Sequence, residues 1–149
     1  MHQDRETALQ WLQQGANLLT IIQDEVLPAE KGQLFVSFSG MWGQMGNVTA
    51  ACLAAEKGLS LLPEYPSQAQ LRGLINLGII SKIQGDFDKS VSYYEQSLSL
   101  AQKLHHPRLF VTASINLGIV LYRQGHFMQA SDVLTAAMAT ASSSRTAGV

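Results

Sequence analysis

Asn76-Leu77-Gly78-Ile79 recurs letter for letter as Asn116-Leu117-Gly118-Ile119, 40 residues further on. The likeness continues downstream, where Gln84-Gly85-Asp86-Phe87 answers to Gln124-Gly125-His126-Phe127. A fixed period of this size marks a stack of supersecondary units, each burying its apolar face only against its neighbours. Around the repeat no stretch alternates with period two for long. Apolar residues fall at three- and four-residue spacings, the mark of amphipathic helices.

Working outward, the spacing predicts a lone helix over residues 5–26, with Leu9, Leu12, Ala16, Leu19 and Ile22 on one face. Three helix pairs follow, over residues 28–62, 67–104 and 108–141. Pro28 suits the first turn of a helix, and Asn47, Ser67 and Asp86 are N-cap candidates. Gly85 and Gly125 mark turns, and His105-His106-Pro107 marks another. The last helix is expected to stop near Thr140, leaving residues 142–149 as a flexible tail. Short turns make each pair antiparallel. The expected fold class is therefore all-α: a right-handed superhelical solenoid of antiparallel helix pairs, with about seven helices in a single domain over residues 1–141.

Composition narrows the function. Charged residues make up 14% of the chain and the net charge is −1, against about 25% charged in a typical soluble domain. Direct nucleic-acid binding, which needs clustered Lys and Arg, is not expected. No apolar run is long enough for a membrane span, and the polar start is unlike a signal peptide. Cys52 is alone, so neither a disulfide framework nor a zinc site is expected, and the reading is a reducing, cytoplasmic protein. The last helix is largely apolar through Met128, Val133, Leu134 and Met138, and the first is rich in Leu and Ile. Solenoid ends need polar outer faces. Either the chain continues past both ends, or another copy covers them, giving a homo-oligomer through the terminal helices.

The repeated residues divide by role. Gly78 and Gly118 sit inside helices, at about 1 kcal/mol each, which suggests close approach of a partner helix. Phe87 and Phe127 plug the space within a pair, Ser90 and Ala130 permit close crossing, and Tyr94 and Leu134 fill the gap to the next unit. This pattern resembles the tetratricopeptide repeat. The signature positions are Leu77, Gly78, Gly85 and Phe87, then Leu117, Gly118, Gly125 and Phe127. The first unit is weaker, with Ser39 in place of the helix glycine. The usual period of the family is shorter, and the closing proline is missing. The longer unit, with Ala54 to Pro63 and Tyr94 to Ala101, resembles the sensor solenoid of MalT-like signal-transduction ATPases, which often carry a LuxR-type DNA-binding domain. No P-loop is present in this chain.

The resemblance implies a concave face lined by the first helices. Those positions are Arg72, Ile75, Asn76, Ile79, Lys82 and Ile83, then Thr112, Ile115, Asn116, Ile119, Tyr122 and Arg123. The expected partner is a peptide, a protein domain or a small effector, with apolar anchors on the isoleucines and amides bonding its backbone. The isoleucines could equally pack against neighbouring first helices. Val36 and Gly40 stand where the family's clamp for a peptide carboxylate has Lys and Asn, so that use is not expected.

Other features carry less. Gly40-x-x-Gly43-x-x-Gly46 lacks the strand and Lys-Ser of a phosphate loop and reads as close helix contact or a weakened helix. Trp11 and Trp42 read as filler, and Cys52 as a buried small residue. No spacing suggests a catalytic constellation, and no metal or cofactor is expected.

Overall fold

The computed structural model describes residues 6, 7, 10, 11, 13–15, 17 and 27–146. Among them there is no strand. The helices are α1 (Pro28–Gln44), α2 (Val48–Leu61), α3 (Gln68–Ile83), α4 (Phe87–Lys103), α5 (Pro107–Arg123) and α6 (Phe127–Thr146). The described residues between 6 and 17 are also helical. The apolar face expected on that first helix, Leu9 to Ile22, lies outside the described residues. Contacts divide the chain into two compact units, Met1–Tyr65 and Pro66–Val149. Within them each helix packs on its sequence neighbour, and α3 also touches α5. This is the packing of a helix-pair repeat.

The expected caps form. The side chains of Asn47, Ser67 and Asp86 accept from the backbone N–H three residues on, at 3.1, 3.2 and 3.2 Å. Each satisfies one of the amides a helix start leaves without a partner. The turns share one geometry. At Gly85 φ is +81° and at Gly125 +83°. The following N–H reaches back five residues, from Asp86 to Ser81 O and from His126 to Leu121 O, both at 2.9 Å. That is the Schellman closure, in which a left-handed residue ends the helix. The turn between α4 and α5 repeats it with a non-glycine. His105 has φ +50°, and His106 N bonds Ala101 O at 2.9 Å. His106 then caps α5, its Nδ1 accepting from Leu109 N at 3.3 Å. A Cβ in the left-handed region costs about 1–2 kcal/mol, so the passage between pairs is made with the same device as the turn within a pair, at higher strain.

Helix α6 runs past the expected stop near Thr140 to Thr146, so residues 142–146 are helical rather than tail. The hydroxyls of Thr140, Ser142 and Ser143 donate to the carbonyls four residues back, at 2.9–3.0 Å. Bonded this way, the hydroxyls are satisfied within the helix at only a slight cost to it. Lack of an apolar period says that this turn is unburied, not that it is unwound.

In the first unit, α1 and α2 cross at Gly32 and Gly58. A Cβ on either glycine would lie 2.9 Å from the other's carbonyl oxygen. Two glycines of the Gly40-Gly43-Gly46 series do not supply the close contact expected of them. Gly43 would admit a Cβ at an ordinary 3.9 Å from Ala51, and Gly46 belongs to the turn. Trp42 is buried and stacks on Phe38 at 5.4 Å, whereas Trp11 is exposed. Cys52 is half-buried, its thiol 3.7 Å from a Glu56 carboxylate oxygen.

In the second unit the core joins Leu71, Ile75, Tyr94, Ala101, Ala113, Leu117, Val120, Leu121 and Ala130, drawn from all four of its helices. Gly78 exists for Tyr94: an added Cβ would meet the ring at 2.6 Å. Gly118 stands in the same relation to Leu134, at 2.8 Å. In the first unit the corresponding pair is Ser39 and Ala55, both buried. The bulk has moved from the second helix to the first. This explains how Ser39 can replace the helix glycine.

Candidate interaction surface

The second unit carries all twelve residues expected on the ligand face. Helical geometry sorts them, because residues three and four apart share a side. Arg72, Asn76, Ile79 and Ile83 form one stripe of α3, and Thr112, Asn116, Ile119 and Arg123 form the same stripe of α5. Arg72, Ile83, Ile119 and Arg123 are exposed, and Asn76, Ile79, Thr112 and Asn116 are half-buried.

The other four lie to one side. Ile75 is only 5% exposed and belongs to the core, not to the face. The cause is α5, which packs against α3 on that side. Lys82 also points towards α5, where its Nζ donates to Asn116 Oδ1 at 2.9 Å. Asn116 Nδ2 donates in turn to Thr112 O at 3.0 Å. Ile115 and Tyr122, which occupy the Ile75 and Lys82 positions one unit on, are exposed. The isoleucines therefore serve two ends. Ile75 and, in part, Ile79 pack between first helices, whereas Ile83 and Ile119 remain open.

The electrostatics of the face are one-signed. Arg72, Lys82 and Arg123 are its charged members, and no carboxylate is among the twelve. Burial lowers the Lys82 ammonium pKa from its ordinary value, and the nearby Arg123 guanidinium lowers it further. A group so placed gains from any anion or carbonyl brought to it.

The signature residues hold this frame. Leu77 and Leu117 are buried, and Phe87 packs on the core. Phe127 does not plug a pair as expected. It is exposed, meeting Tyr122 edge-on at 5.3 Å. The sequence pattern placed the isoleucine stripe but missed the Lys82–Asn116 bond. Its signal was present: the two residues lie on facing sides of α3 and α5, in adjacent units.

Among the described residues no group of three His, Cys, Asp or Glu side chains could hold a metal, and no helix is long and apolar enough to cross a membrane. A family model, the tetratricopeptide repeat, matches residues 69–143, from α3 to near the end of α6. The chain belongs to the tetratricopeptide-repeat family. Such repeats generally mediate protein–protein interaction and are not enzymes. No curated protein matches the chain.

Proposed function

We propose that the α3–α5 face binds an extended or helical segment of a protein partner. The observation that carries this is the exposure of the apolar Ile83 and Ile119 on a face whose charged members, Arg72, Lys82 and Arg123, are all cations. Apolar anchors would settle on the isoleucines. Backbone carbonyls or acidic side chains would take the cations and the Asn116 amide. A small effector with an apolar body and an acidic group fits the same chemistry. The 40-residue period and the Tyr94–Ala101 phrase support a place in the sensing portion of a larger cytoplasmic regulator of the MalT-like kind, with residues 1–141 acting as one repeat domain.

The test is selection of peptides from a random display library against the chain. Affinities are then compared with an Ile83→Asp, Ile119→Asp double variant. Both positions are exposed, so the fold should survive, as circular dichroism would verify. Loss of binding by roughly tenfold or more is expected. Unchanged affinity in a folded variant sinks the proposal.

A second reading is self-association through the terminal helices. It is favoured by the exposure of Met128, Leu134 and Met138 on α6. Sedimentation over a concentration series would reveal it, and a strict monomer at high concentration would count against it.

A further inference from the structure

On the opposite side of the second unit, α4 and α6 stand apart over α5 and leave a groove of about 550 Å³. Its lining alternates by helical period. Asp88, Val91 and Glu95 lie along one side of α4, Asp132 and Val133 along α6, and Leu121 of α5 forms the floor. The surface is mostly apolar, yet its charged rim is wholly acidic, with no Lys or Arg lining it. Asp88 is engaged by Gln124, whose Nε2 donates to its Oδ1 at 2.8 Å. Glu95 and Asp132 are exposed.

We infer that this groove docks an amphipathic helix of a partner protein that presents Leu, Ile or Met side chains flanked by Lys or Arg. Size and charge together select that occupant. The volume lies in the range that takes large apolar side chains. Asp88 and Glu95 are seven residues apart on one helix, about 10 Å, which matches two turns of a docked helix. An acidic segment would set like charges against the rim, and a neutral one would leave Glu95 and Asp132 partly dehydrated without partners. The groove does not use the α3–α5 face, so it stands or falls separately from the function proposed above.

The probe is a short synthetic helix of leucine and lysine, titrated into the isotope-labelled full chain. The control is the same peptide with glutamate for lysine. The lysine peptide should shift the methyl signals of Val91, Leu121 and Val133 in a salt-sensitive manner, and the glutamate peptide should not. A Glu95→Gln, Asp132→Asn double variant changes charge at exposed sites without changing shape, and leaves the Asp88–Gln124 bond intact. It should bind the lysine peptide roughly three- to tenfold more weakly. The Ile83→Asp variant should bind it unchanged. The inference is overturned if both peptides bind alike, if the shifts map to Ile83 and Ile119 on the other face instead, or if the double variant keeps full affinity. It is also overturned if the groove methyls shift with protein concentration alone, which would give the groove to a second copy of the chain.

Discussion

The face of the α3–α4 pair turned towards α5 and the same face of the α5–α6 pair are built from equivalent positions, 40 residues apart, but differ in what covers them. Ile75 is 5% exposed and its counterpart Ile115 is 45% exposed. Tyr94 is 0% exposed and its counterpart Leu134 is 38% exposed. The first face is closed by the next pair, and no further pair among the described residues closes the second. An exposed isoleucine or leucine in a repeat is therefore not evidence of a binding site until its counterpart in a covered unit has been consulted. Ile115, Tyr122 and Leu134 fail that test, Ile119 passes it only in part because its counterpart Ile79 is half-buried, and Ile83, exposed on the unit that is covered, passes it.

The comparison breaks most sharply under truncation. Tyr94→Ala should lower the unfolding free energy by about 3–5 kcal/mol, because the ring is fully buried in the core of the second unit. Leu134→Ala should cost only about 1 kcal/mol, since much of that side chain is already in water. Urea titration of the two variants measures both, and equal costs would show the two faces to be equally packed. Filling the helix glycines gives the same contrast at smaller scale. Gly78→Ala sets a methyl against the enclosed Tyr94 ring, and overpacking should outweigh the helix-propensity gain, for a net loss of about 1–2 kcal/mol. Gly118→Ala meets a Leu134 free to swing outward, so it should be neutral or slightly stabilising in the same titration.

Enclosure also has an electrostatic sign. The Tyr94 hydroxyl is buried without a hydrogen-bond partner among the described residues, while the nearby Ser90 hydroxyl donates to Gly78 O at 2.7 Å. Burial pushes the Tyr94 pKa well up, and Ser90 pulls weakly the other way. The folded state thus disfavours the phenolate. The stability held with the neutral hydroxyl is full below the ordinary tyrosine pKa of about 10, and is lost as pH rises above it. Tyr94→Phe should be neutral or stabilising by up to about 1 kcal/mol near neutral pH. It should also remove this share of the alkaline loss, as thermal melts across that range would show. The smallest effect concerns the turn between the pairs. His105→Gly relieves a left-handed residue but loosens the unfolded chain, for a net gain of about 0.5–1 kcal/mol in the melting free energy.

Most of the architecture was legible because repetition and helix caps are local signals. Asn47, Ser67 and Asp86 act as the sequence suggested. What could not be read was relational. Nothing local says that Ile75 is covered and Ile115 is not, because the pattern around each is nearly the same and the difference lies in a neighbouring helix. The turn at His105-His106-Pro107 was legible, but its left-handed residue was not, because that residue is not the glycine the geometry favours. The α4–α6 groove was hidden because its acids belong to different repeats, each of which alone reads as a solvated helix face. The end of α6 was not legible because its last turn is helical without being buried, and so carries no apolar period.

The account separates a ligand face on the first helices from an end face that is merely uncovered. Affinity of one library-selected peptide for Ile83→Asp and for Met138→Asp tests that separation most directly, both positions being exposed. The account predicts a loss of roughly tenfold or more for Ile83→Asp and a change within about twofold for Met138→Asp. Loss at Met138 with binding intact at Ile83 would contradict it.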